Sequence, residues 1–203
     1  QINLVGIMMV LDENYWSNRY MTGRVGWDIG FGSVPILQYL DQTENKGLEI
    51  LFPGAGNAYE VDSAIKLGFS LVHLLDYVEE PIRNFSLRNP NFPKSFIHLE
   101  NFFEHEGKYD LIIEQTFFCA LDPKIRSDYM LKMKLLLRPG AKLVGVLFNR
   151  KFDFQGPPFG GAKQEYQELF EQYFEIEILA PCYNSIPERL GSELFFILKN
   201  SKI

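Results

Sequence analysis

Cysteine is scarce in this chain. Of 203 residues only two, Cys119 and Cys182, carry a thiol. They lie far apart and no CxxC or Cys/His ligand spacing joins them, which argues against a disulfide framework or a structural zinc site. A reducing, cytoplasmic compartment suits that usage. Histidine is nearly as rare, and His73, His98 and His105 fall on or beside strands with no partner spacing, so they receive no role and no metal is expected. No Lys/Arg cluster offsets the net charge of -6, so the counterion-release contribution that dominates nucleic-acid affinity is missing. No apolar run reaches the ~18 residues needed to span a bilayer, and no membrane partner is expected. The short run Leu4 to Leu11 has neither basic residues before it nor a small-residue cleavage site after it, and reads as packing rather than a leader. Repeats, low-complexity tracts and Pro/Ser-rich linkers are absent as well, which favours one domain over residues 1–203.

What is present is the balance of a globular rather than a disordered protein, 46% hydrophobic and 23% charged. Short apolar runs alternate with helical patterns from residue 48 onward. Leu48 to Phe52, Ser70 to Leu75, Phe96 to Leu99, Tyr109 to Ile113 and Lys142 to Phe148 read as strands. Asn57 to Leu67 and Glu79 to Arg88 read as helices, the first capped by Gly68. Asp122-Pro123 starts a further helix, with Ile125, Tyr129, Met133 and Leu136 along one face and Arg138-Pro139-Gly140 ending it. The alternation predicts a parallel sheet covered on both faces. Phe174, Ile176 and Ile178 alternate with glutamates as a half-exposed strand, and with Glu193 to Lys199 they predict an antiparallel pair closing the sheet. Residues 12–42 predict two helices around the Gly-rich stretch Gly23 to Gly32, an appendage ahead of the core.

Ligands of open α/β sheets bind at the carboxyl ends of the strands. After the first strand, Gly54-Ala55-Gly56 lets backbone approach a ligand at a helix N-terminus. Asp76 closes the second strand, where a carboxylate can accept both ribose hydroxyls of an adenosine. As a strand-end group it is expected to support little of the core. Asn101 and Phe102 end the third strand and suit an adenine, the amide oxygen accepting from its amino group and the ring packing on it. These features fit a nicotinamide oxidoreductase or an S-adenosylmethionine-dependent methyltransferase. Tyr59, crowding the turn right after Ala58, favours the donor without phosphates.

From Trp16 to about Lys199 the chain resembles the thiopurine/thiol and halide S-methyltransferases among the class I S-adenosylmethionine-dependent enzymes. Trp16-Ser-Asn-Arg-Tyr20 and Gly26-Trp-Asp-Ile-Gly30 are similar to that family's donor-binding segment, and Leu51-Phe-Pro-Gly-Ala-Gly56 to its glycine loop. Phe117-Phe-Cys-Ala-Leu121, followed by Arg126 and Tyr129, resembles its fourth-strand signature, and Gly156-Pro-Pro-Phe159 a loop over its acceptor pocket. Ala55, Ala58, Asn101 and Tyr20 stand where Cys, Gly, Asp and Trp are common. Gln115 replaces the Tyr of plant halide-methylating members, which leaves the acceptor open.

The resemblance implies a Rossmann-like sandwich, a mostly parallel seven-stranded sheet with a C-terminal antiparallel pair, an N-terminal helical lid over 1–45 and an α/β core over 46–203. It implies S-adenosylmethionine as cofactor, S-adenosylhomocysteine as product, a small-molecule acceptor and a monomer. Trp16, Tyr20, Trp27, Gly54, Gly56, Asp76, Asn101, Phe102 and Gln115 would bind the cofactor. Arg126, Arg189 and Phe159 would serve the acceptor, a thiol, thiopurine, hydrosulfide or halide. An adenosyl-binding module without catalysis is the alternative from another class. Trp16 and Tyr20, four apart, share one helix face, either as a water-excluding lid or as a helix docked permanently on the sheet edge.

Overall fold

Alternate residues of each apolar run go to opposite faces of the sheet, and that alternation sorts the helices. The computed structural model describes residues 11–201, so Leu4 to Leu11 falls almost wholly outside the described residues. Two helices, α1 (Glu13–Met21) and α2 (Val34–Gln42), precede β1 (Glu49–Pro53). Then α3 (Tyr59–Lys66), β2 (Leu71–Asp76), α4 (Glu79–Arg88), β3 (Ile97–Leu99) and β4 (Tyr109–Gln115) follow. The second half holds α5 (Phe117–Ala120), α6 (Arg126–Leu136), β5 (Leu137–Phe148), α7 (Lys163–Phe170), β6 (Glu175–Pro181) and β7 (Glu193–Lys199).

The seven strands lie in the order β3-β2-β1-β4-β5-β7-β6. Strands β1 to β5 pair in parallel, and β7 runs antiparallel between β5 and β6. On one face Ile50 and Phe52 of β1 pack with Ile36, Leu40, Val61 and Phe85. On the other, Leu51 packs with Ile112, Tyr129, Met133 and Phe170. Helices α2, α3 and α4 therefore cover the first face, and α6 and α7 the second. The sheet order reverses between β1 and β4, the place where such sheets open a crevice.

Three sequence expectations need correction. The helix does not end at Arg138-Pro139-Gly140; α6 stops at Leu136 and β5 begins at once. The register jumps from Tyr109↔Leu137 to Leu111↔Lys142, so Pro139 sits in a bulge where its missing N–H leaves no ladder bond broken. In β6 the register shifts between Ile176 and Ile178, which turns Ile178 outward to 40% exposure and ends the strict alternation. The lid expected over 1–45 does not include α2. In α2, Ile36 and Leu40 are fully buried core, whereas α1 has no fully buried residue.

Candidate active site

A cavity of about 1230 Å³ opens at the carboxyl ends of β1, β2 and β4, beneath α1. Its floor is the turn after β1. Gly54 and Gly56 take φ of +57° and +53°, and Ala58 follows at 56°. A Cβ on Gly54 would lie 2.2 Å from the Phe117 ring, and one on Gly56 would lie 2.9 Å from the Tyr20 hydroxyl. Backbone thus forms the cavity surface where any side chain would fill it.

Asp76 binds the turns together as well as facing the cavity. It is 7% exposed; its Oδ2 accepts from Gly56 N–H at 2.9 Å and its Oδ1 from Val78 N–H at 3.0 Å. Burial raises its pKa, and the N–H bonds from Val78, Gly56 and Tyr77 oppose that rise. The expectation that this carboxylate supports little of the fold is therefore overturned. Asn101 also lines the cavity, but its Oδ1 already accepts from Phe103 N–H at 2.9 Å, leaving one lone pair for a ligand. Phe102 presents one edge to the cavity while its body is core, edge-on to Phe117 at 5.2 Å. Gln115 lines the wall with a buried Oε1 that has no partner among the described residues.

The roof is aromatic. Trp27 meets Trp16 at 5.3 Å and Tyr20 at 5.6 Å between ring centres, both edge-on. All three rings line the cavity, Trp16 and Tyr20 from one face of α1 and Trp27 from the segment after it. Phe148, Arg150, Phe152, Pro157 and Arg189 line another part of the wall, with Arg189 5.6 Å from the Phe148 ring, Arg150 4.9 Å from the Phe152 ring, and those two rings edge-on at 5.2 Å. Arg189 donates to the Trp27 carbonyl at 2.8 Å and lies 3.5 Å from Glu193, so its guanidinium is fixed on both sides.

Arg126 and Phe159 are not among the cavity-lining residues. Arg126 starts α6 behind the Gly156–Gly161 loop, donates to Gly160 O at 3.1 Å and stacks 4.5 Å from the Phe118 ring. Phe159 lies against Gly156, its N–H bonded to Cys119 O at 2.7 Å. Both hold the loop rather than touch the cavity. Of the two arginines expected at the acceptor only Arg189 lines the cavity, and Arg150, which sequence reasoning passed over, lines it as well. Its signal was a basic residue just beyond an apolar strand end.

Glu114 was also missed, because a carboxylate at a strand end reads as solvated. It is 1% exposed, and its Oε2 caps α5 by accepting from Phe117 N–H at 2.8 Å and Phe118 N–H at 3.1 Å. Burial outweighs those bonds and lifts its pKa from 4.5 to about 8. The folded state thus holds a proton that the unfolded state gives up near pH 4.5. Stability contributed by that proton is lost as pH rises from about 5 to about 8. Glu114→Gln is expected to flatten that decline in denaturant titrations across the range. An unchanged slope in the variant would show that Glu114 ionises normally.

The model of the thiopurine S-methyltransferase (TPMT) family matches residues 11–191. The chain belongs to that family. A probable thiol methyltransferase 2 of Arabidopsis thaliana is 31% identical over 160 residues, covering 76% of this chain and 70% of the relative. Thiocyanate methyltransferase 1 of Brassica oleracea is 25% identical over 190 residues, 90% of this chain and 83% of its own length. Among solved structures, the 1,6-didemethyltoxoflavin-N1-methyltransferase of Burkholderia thailandensis, with bound S-adenosylhomocysteine, superimposes at a TM-score of 0.76. It is 16% identical and the match covers 95% of this chain and 88% of that one. This family member is an S-adenosylmethionine-dependent methyltransferase with the Rossmann-like fold. The glycine floor and the orphan Gln115 oxygen suit that donor.

Proposed function

We propose that this methyltransferase acts on a small, soft, anionic nucleophile, a thiolate, thiopurine, hydrosulfide or halide. The observation that carries the reading is the part of the cavity wall where Arg150 and Arg189 stand among Phe148, Phe152, Pro157 and Pro158. Guanidinium groups favour an anion, and apolar walls strip its water, which is the main barrier for a soft nucleophile. The names of the relatives, thiol and thiocyanate methyltransferases, support the same class. When bound, the donor supplies a methyl group on a sulfonium.

Asp76, Asn101, Phe102 and Gln115 would hold its adenosine portion, over the floor of Gly54 and Gly56. Trp16, Tyr20 and Trp27 would face the cation and favour it through their ring faces. Alignment of nucleophile and methyl carbon at about 3–3.5 Å is the rest of the task. Arg126 and Phe159 contribute by holding the loop. We further propose that α1 and Trp27 act as a lid that closes over both reactants, within a monomer of the cytoplasm. Both cysteines being free and buried supports that compartment. No helix among the described residues is long and apolar enough to cross a membrane.

The deciding experiment follows S-adenosylhomocysteine formation over a panel of thiols, a thiopurine, sulfide, halides and amines. Turnover is expected with the sulfur and halide nucleophiles and absent with amines. Hydrogen exchange across residues 12–32 is expected to slow when S-adenosylhomocysteine is added. Turnover of amines alone would overturn the acceptor class, and unchanged exchange would make α1 scaffold.

A further inference from the structure

The chain has three histidines in all, and the fold brings them to one place. His73 comes from β2, His98 from β3 and His105 from the turn that follows β3. The His73 and His98 rings stack at 5.3 Å, and those of His98 and His105 meet at 4.7 Å. Glu100 joins them, its Oε1 2.5 Å from His105 Nδ1. Ligand atoms of His98, Glu100 and His105 all lie within 4.8 Å of one another.

We propose that His98, Glu100 and His105 form a binding site for a borderline divalent transition metal of the zinc or cobalt class. Two imidazoles and one carboxylate are the donors such ions prefer, while calcium and magnesium need more oxygen. Tetrahedral coordination at about 2.0–2.1 Å sets ligand atoms roughly 3.3–3.5 Å apart, so the three groups need to move by about an ångström or less. The hydrogen bond between His105 Nδ1 and Glu100 opens as the cation enters, and the imidazole carries its one proton on Nε2, donated to the Tyr109 hydroxyl, which frees the Nδ1 lone pair for the metal.

The outer partners are already in place. A metal-bound imidazole turns its second nitrogen to an acceptor that fixes its orientation. His105 Nε2 lies 2.7 Å from the Tyr109 hydroxyl. His98 Nε2 lies 3.0 Å from His73 Nδ1, and His73 Nε2 lies 3.4 Å from Glu49. That leaves His98 Nδ1, which makes no hydrogen bond among the described residues, as its ligand atom. His105 is 2% exposed whereas Glu100 is solvent-facing, so the site has a closed back and an open mouth. The remaining coordination position falls to water. Residues 100–104 wall the donor cavity, so the ion would pin that wall to the sheet edge.

The test is titration of the full chain, stripped with a chelator, with Co2+ alone and with Zn2+ alone. One equivalent of Co2+ is expected to bind at micromolar or lower concentration, with the strong visible absorption of a low-coordinate site. Zn2+ should displace it and raise the melting temperature. Glu100→Gln changes only a solvent-facing carboxylate and is expected to weaken Co2+ at least tenfold, as is His98→Gln. Glu106→Gln, an exposed neighbour outside the ligand set, should leave affinity unchanged. Circular dichroism checks each fold, and should His98→Gln fail to fold, Glu100→Gln carries the result. No visible band, or equal Co2+ affinity in wild type and Glu100→Gln, would overturn the site and leave His105–Glu100 as an ion pair.

Discussion

Replacing Asp76 by alanine is expected to weaken S-adenosylhomocysteine by about a hundredfold and to destabilise the fold by about 2 kcal/mol. The ligand part follows from losing a charge-assisted hydrogen bond, ~1.5–3 kcal/mol. The stability part arises because the same carboxylate accepts from Gly56 and Val78. Its removal orphans two N–H groups in a site where Asp76 itself is only 7% exposed. Calorimetric titration measures the first effect and a denaturant midpoint the second. Asp76→Asn keeps an acceptor for one N–H and is expected to recover about half the stability while remaining poor at binding. Unchanged affinity in the alanine variant would place the ribose elsewhere.

Gly54→Ala is expected to cost about 3 kcal/mol of stability and to abolish donor binding. Roughly 1–2 kcal/mol of this is the left-handed backbone that an alanine resists. The remainder is collision, since the new methyl would lie 2.2 Å from the Phe117 ring. Phe117 is anchored through its N–H to Glu114, so the turn it occupies yields little. The two contributions separate in a double-mutant cycle. In a Phe117→Ala background the Gly54→Ala change should cost only the backbone part. Equal cost in both backgrounds would assign the whole effect to φ and none to the ring.

Those two residues also mark how far the sequence could be read. Glycine next to a strand end signals a close approach of backbone to ligand, because few other needs call for a missing Cβ there. The apolar runs of Leu71–Asp76 and Glu193–Lys199 were legible because buried strands of this kind are nearly continuous in hydrophobicity. Arg126 was misplaced for a different reason. Sequence puts it at a helix start, but which way its guanidinium turns depends on where the Gly160 carbonyl lies, a contact between separate elements. The histidines stayed silent because their convergence runs through strand pairing of β2 with β3, in which Leu75 faces His98 and not through any local spacing. Asp76 was half legible. Its position announced a ligand contact, while its second task, tying two turns, exists only once both turns are folded.

The clasp of Arg189 on the Trp27 carbonyl joins positions separated by 162 residues. Gln38 makes contacts of similar reach, bonded to Tyr183 and Asn184, 145 and 146 residues away. Contacts of such sequence separation form late, after the loop-closure entropy of the intervening chain has been overcome. On the ribosome the glycine floor and Asp76 therefore emerge well before the segment that fixes Trp27. A nascent chain that has emerged only as far as β5 holds the glycine turn and Asp76 but lacks the Arg189 clasp on Trp27, so the floor of the cavity precedes its fixed roof.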